Sequence, residues 1–178
     1  PGQLLLVLLI GLPALYVLVL SFTHSRFGAD TTWAGLANYA RILGDPAFGR
    51  AFANTLVVVN VVIYGELLLG LAAAFLFASG VPLRRLLFGV MLAPYAVSPV
   101  VAVVIWRFLA EPDVGVLTAL LESLGIQLNW AVQRWHALGL VSVMSVWIHL
   151  PFTFVVLYAA VQSVPKELYE AARIDGAT

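Results

Sequence analysis

The sequence predicts an all-α membrane protein, and three observations carry that prediction. Hydrophobic residues make up 62% of the 178-residue chain and charged residues only 10%, where a soluble domain carries about 25% charged residues. Four apolar stretches are each long enough to cross a hydrocarbon core of about 30 Å, which takes roughly 20 helical residues. None of them alternates in polarity, as the strands of a spanning barrel must.

Taken in order, the first span is read from Leu4 to Phe22, with Gly11 and Pro13 inside it. A mixed segment follows, residues 23–51. The second span runs from Phe52 to Ala78 and is interrupted by Asn60 and Glu66. A tight link, Ser79 to Arg85, leads to the third span, Leu86 to Leu109. Pro94 and Pro99 bracket a bend there, beside Tyr95 and Ser98, whose side chains can re-satisfy freed backbone groups. Residues 110–136 form a second long segment, in which Val116 to Leu124 is amphipathic and suits an interface. The fourth span is Ala137 to Val161, holding Trp147, His149 and Pro151. A polar tail, Gln162 to Thr178, ends the chain.

Loop cations set orientation. The link and the tail hold Arg84, Arg85, Lys166 and Arg173, whereas the two longer segments hold Arg26, Arg41, Arg50 and Arg134. The density is about twofold higher over the shorter stretches, which places the link and tail in the cytoplasm. The chain starts Pro1-Gly2-Gln3 without a methionine and stops at Gly176-Ala177-Thr178 inside a motif. A piece of a longer protein is therefore expected.

Several function classes drop out. The formal net charge is zero, so nothing invites nucleic acid; the bilayer is the expected environment. With no cysteine there is no disulfide framework and no thiol nucleophile. His24, His136 and His149 lack metal-ligand spacing, and no glycine-rich phosphate loop is present. No catalytic residue, metal or cofactor is assigned to this chain.

Inside the spans, Glu66 is the outlier. An acid near mid-span costs about 2.5–3.5 kcal/mol on insertion scales, so it should meet protein or water. Two readings stand. It touches solute or relays protons, or it makes a structural hydrogen bond to a neighbouring helix through Asn60 or Tyr64. One acid without a second makes a poor relay, which favours the structural reading. Tyr95, Trp147 and His149 are further pathway candidates, because aromatic and hydrogen-bonding side chains suit a polar solute. A satisfied helix-contact histidine beside an ordinary proline kink is the plainer account of His149 and Pro151.

The tail is the most informative stretch. Pro165 suits the first turn of a helix. Glu167 and Glu170 favour its N-terminal half, Arg173 its C-terminal end, and Gly176 its stop. Val164, Leu168, Ala171 and Ala172 share one face. That face ends in two alanines, so another surface can approach the backbone closely. An ordinary helix on the headgroups is the competing account, though such helices carry bulkier apolar residues.

The string Pro165-Lys166-Glu167-Leu168-Tyr169-Glu170-Ala171-Ala172-Arg173-Ile174-Asp175-Gly176-Ala177 resembles the EAA motif of binding-protein-dependent ABC importer permeases. Its form is that of the carbohydrate-uptake permeases of the maltose and glycerol-phosphate type. Gly35-Leu36-Ala37-Asn38-Tyr39, Asp45-Pro46-Ala47-Phe48, Asn54-Thr55-Leu56, Ala93-Pro94 and Ile105-Trp106-Arg107-Phe108 resemble that family in the same order. The resemblance implies six spans, of which four are visible. Residues 1–50 would hold the first span and an outer loop, and 51–178 a truncated transmembrane domain with a coupling helix at 165–176. It implies a permease subunit of an ATP-driven importer, moving a sugar or related solute by alternating access in a prokaryotic plasma membrane. Glu170, Ala171, Ala172 and Gly176 would couple to the ATPase. The implied partners are two ATP-binding subunits, a second permease subunit forming a heterodimer, and an extracytoplasmic solute-binding protein. The alternative is a secondary transporter or channel that works through an intramembrane ionisable residue such as Glu66.

Overall fold

The computed structural model describes residues 2–25 and 31–176, and only the backbone of Lys166 and Arg173. Pro1, Arg26, and Ala177 and Thr178 at the end of the motif lie outside the described residues. Two compact units divide the chain, residues 1–54 and 55–178.

In the first unit the opening span is helical over Gly2–Ser21 but not uniform. An α-helical turn, α1 (Gly2–Leu6), gives way to a π turn at Val7–Gly11 and then to α2 (Leu12–Ser21). Pro13 explains the wide turn, because it has no N–H for the carbonyl four residues back and its ring crowds that carbonyl. After the span comes a small antiparallel ribbon, β1 (Thr23–His24) with β2 (Thr32–Trp33). Sequence periodicity gives no sign of a ribbon this short. Helix α3 (Ala37–Leu43) follows. The Asn38 amide donates to the carbonyls of Ser21 and Thr23 at 3.0 and 2.9 Å, and Phe22 stacks on Trp33 at 5.8 Å. The Gly35–Tyr39 string therefore ties the loop back to the end of the span. Asp45 Oδ1 accepts from the Ala47 N–H at 2.8 Å, and Pro46 takes the first position of the next helix, an N-terminal signature.

That helix, α4 (Pro46–Ala78), begins in the first unit and supplies its remaining length to the second. The second unit continues with α5 (Arg84–Leu92), a 3-10 turn at Ala93–Ala96, α6 (Pro99–Leu109), α7 (Val116–Ser123), α8 (Arg134–Gln162) and α9 (Lys166–Ile174). Among the described residues three helices are long and apolar enough to cross a membrane: Gly2–Ser21, α4 and α8. The third expected span is not one continuous helix but a sharply bent pair, the geometry of a broken span or of a re-entrant loop. Arg84–Ala96 and Pro99–Leu109 meet at 102°, at the two prolines that the sequence singles out. Val97 is extended, and Ser98 caps α6 by accepting from the Val101 N–H at 3.3 Å.

Helices α4 and α8 approach closely because of glycine. A Cβ at Gly70 would sit 3.1 Å from Thr153 Cγ2 and 3.3 Å from Leu157 Cδ1; one at Gly65 would sit 3.2 Å from Val146 Cγ2. Small residues at such a seam let backbones come together where lipid supplies no hydrophobic drive. The core lies at the C-terminal ends of both helices, around Ala74, Phe77 and Phe154. The link 79–83 and the root of the tail thus share one end of this unit. Most other large apolar side chains are exposed, as suits a surface that faces lipid or further protein.

Candidate functional site

Two places carry polar chemistry that the packing alone does not demand: the middle of the α4–α8 seam and the tail helix α9.

In the seam, Glu66 is 16% exposed and His149 63%. Glu66 Oε2 accepts from the Thr153 hydroxyl at 3.0 Å. His149 Nδ1 lies 3.8 Å from Glu66 Oε1 and 2.9 Å from the Ser145 carbonyl. A carbonyl oxygen only accepts, so Nδ1 carries a proton in that contact. The ring is thereby turned along its own helix, with the same N–H edge towards the carboxylate. The partner expected for Glu66 was Asn60 or Tyr64. Instead Asn60 donates to Leu56 O of its own helix at 2.8 Å, the local bond a mid-helix asparagine favours. An interhelical bond of this kind returns about 0.6–1.7 kcal/mol in a membrane, less than the roughly 3 kcal/mol an acid costs there. Thr153 therefore offsets only part of the cost of Glu66.

The other pathway candidates fall elsewhere. Trp147 packs edge-on against Trp106 at 6.0 Å and borders, with Pro94 and Pro151, a hollow of about 310 Å³. Tyr95 is an exposed residue of the 3-10 turn. Among the described residues no hydrogen bond or ring contact joins either of them to Glu66. Sequence reasoning missed Thr153, although it lies four residues after His149 and so on the same helical face. No group of three or more potential ligands holds a metal-binding arrangement among the described residues.

At the tail, α9 spans Lys166–Ile174, slightly inside the expected 165–176. Gly176 has φ +82°, the left-handed conformation that ends a helix and that residues with a Cβ avoid. Glu170 and Ala171 are exposed and Ala172 is half-buried. Leu168 is 61% exposed and Ala171, on the same face, is exposed too, so that face is not covered by its own chain; Ile174, 86% exposed, lies about 120° round the helix. Three residues, Ser163 to Pro165, separate it from α8.

The sequence profile of the family described as "Binding-protein-dependent transport system inner membrane component" matches residues 66–178. A curated relative, "sn-glycerol-3-phosphate transport system permease protein UgpA" of Yersinia pestis bv. Antiqua (strain Antiqua), is 36% identical over 155 residues, covering 87% of this chain and 52% of that protein. The chain thus spans about half the length of the curated relatives it matches. A crystal structure of a bacterial ABC transporter involved in the import of the acidic polysaccharide alginate superposes with a TM-score of 0.79 at 20% identity. It covers 99% of this chain and 60% of that one. A second, of the bacterial alginate ABC transporter in complex with alginate pentasaccharide-bound periplasmic protein, gives 0.75 at 21% identity, with coverage of 99% and 60%. At these identities the superpositions establish the fold.

Proposed function

The chain belongs to the family of binding-protein-dependent transport system inner membrane components, and from that premise we propose that it is the permease subunit of an ATP-driven importer. Its cargo is a sugar, sugar alcohol or glycerol phosphate, as the name of the UgpA relative supports. The observation that carries the reading is α9. It is a short helix stopped at Gly176, joined to a long span by three residues, with Leu168 and Ala171 uncovered on one face. Such a face gains nothing from water and suits insertion into a partner.

In this reading α9 enters a cleft on a separate ATP-binding subunit, one of two. Ala171, Ala172 and Gly176 allow close approach, and Glu170 offers an acceptor. Hydrolysis happens on those partners, and the spans alternate between outward and inward access. A second permease subunit completes the pathway as a heterodimer. An extracytoplasmic solute-binding protein delivers the cargo, a reading supported by the periplasmic protein bound in the alginate transporter complex. The protein resides in a prokaryotic inner membrane with α9 in the cytoplasm, which agrees with the link and the tail root sharing one end. Glu66 and His149 line the solute path as hydrogen-bonding groups, with Tyr95 and Trp147 as aromatic contacts.

A second reading has a specific observation behind it. Glu66 and His149 form an intramembrane acid–imidazole pair at 3.8 Å, as a proton-coupled carrier would need. Transport by the complete complex in vesicles separates the two. Ala171→Arg should abolish uptake and co-isolation of the ATP-binding subunits, while Glu66→Gln should leave uptake ATP-dependent. Uptake that survives Ala171→Arg but collapses, together with proton movement, in Glu66→Gln would sink the importer reading.

A further inference from the structure

The second unit contains a ring cluster that neither the pathway nor the tail helix uses. Phe77 near the end of α4, Phe88 in α5, and Phe154 and Tyr158 in α8 are mutually packed. Their centroids are 5.3 Å apart for Phe77–Phe88, 5.0 Å for Phe77–Phe154 and 5.5 Å for Phe88–Tyr158. Phenylalanines alone would make this an ordinary core. Three further features do not fit that description.

First, the Arg84 guanidinium lies 5.3 Å from the centroid of the Tyr158 ring, over its face. Arg84 is the first residue of α5, where the helix dipole is positive and a cation is disfavoured. The electron-rich ring face supplies the compensating attraction. Second, the residue just before it, Leu83, has φ +55° and ψ +27°. Among the described residues it alone holds a positive φ without being glycine. Strain of this kind persists only where surroundings impose it, and it clusters at working sites. Here it turns the link so that Arg84 reaches the ring. Third, the hydroxyl of Tyr158 accepts from the side-chain amide of Gln162, the last residue of α8, with three residues between it and α9.

We propose that Tyr158 is a positioning residue for energy coupling, clasped between Arg84 and Gln162 so that a displacement of α9 is passed to the start of the bent α5–α6 pair. The inference rests on the reading of α9 as the helix that docks on the ATP-binding subunit. Its path is short and made of named contacts. Motion of α9 pulls on Gln162, which holds the Tyr158 hydroxyl; Tyr158 holds Arg84; and Arg84 begins α5, the first arm of the 102° bend.

The test uses the complete transporter, with both permease subunits, both ATP-binding subunits and the solute-binding protein, reconstituted in vesicles. Solute taken up per ATP hydrolysed is read alongside co-isolation of the ATP-binding subunits. Arg84→Gln and Tyr158→Leu should lower that ratio roughly fivefold with the subunits still bound, the size expected when one cation–ring contact carries coupling. Arg84→Lys keeps the cation and should recover most of it. An unchanged ratio in Arg84→Gln overturns the proposal. So does a loss of uptake in both variants that merely tracks loss of assembled complex. Ala171→Arg is the separate control: if it leaves assembly intact, the docking reading itself fails, whatever Arg84 does.

Discussion

Two short amphipathic helices lie outside the spans of the second unit, and they differ in how they are held: both leave large apolar side chains exposed, Val116 and Leu120 on α7 and Leu168 on α9, but only α7 is tied down at buried residues. Helix α7 is anchored by its own chain. Gly115 at its start has no room for a side chain: a Cβ would meet the Leu109 carbonyl and lie 2.5 Å from Glu111 O and 2.7 Å from Glu111 N. Thr118 is 2% exposed, and the Trp130 indole closes the segment by donating to Ala110 O at 2.7 Å. Helix α9 has a left-handed stop at Gly176, and its leucine and isoleucine stand uncovered. An amphipathic pattern therefore predicts a helix but not what covers it. Anchorage at particular residues separates the two: Gly115, Thr118 and Trp130 tie α7 into this chain, whereas no described side chain of α9 is buried.

Four substitutions put this contrast at risk. The largest effect is expected from Gly115→Val, which forces a side chain into backbone and should cost on the order of 3 kcal/mol or more. Thermal melting of the detergent-purified protein would show it, and an unchanged melting point would mean that α7 is not anchored as described. Gly176→Ala comes next, at about 1 kcal/mol confined to the end of α9. It should weaken association with the ATP-binding subunits in a pull-down while leaving the melting point of the permease alone. Thr118→Val should act in the opposite direction. The Thr118 hydroxyl is buried without a partner among the described residues, so replacing it should be neutral or stabilise by up to about 1 kcal/mol. Leu168→Ala is the smallest in stability terms, within about 0.5 kcal/mol as for an exposed surface site, yet it should still reduce docking. A melting shift as large as that of Gly115→Val would show that Leu168 is packed after all.

Much of the architecture is legible in the sequence because membrane crossing is a local property. Length and apolar content place three spans that the structure forms as long helices, and Pro94 with Pro99 marks where the remaining apolar stretch bends into a pair. Asp45-Pro46 and Gly176 mark helix ends through chemistry that acts over a few residues. What stays hidden depends on distant partners. Glu66 meets Thr153, 87 residues away, and no local pattern couples them. Phe77, Phe88, Phe154 and Tyr158 read as ordinary apolar filler until three helices bring them together. The π turn at Val7–Gly11 shows only as Pro13 in the sequence, and a proline there allows a kink as readily as a wide turn. Of the candidate site, α9 is legible almost to its ends. Glu66 and His149 stand out separately, but their pairing depends on the approach of two helices and leaves no local trace.

The bend between α5 and α6 also bears on how the chain enters the bilayer. Its arms, Arg84–Ala96 and Pro99–Leu109, are about 20 Å and 16 Å long, against a hydrocarbon core of about 30 Å. Neither arm can leave the insertion machinery alone, because an exposed turn at membrane depth would strand unpaired backbone groups in lipid. The bent pair must therefore partition in company, held against a helix already beside it or waiting for α8 to be synthesised. Biogenesis of this protein is then a matter of pairs rather than single segments.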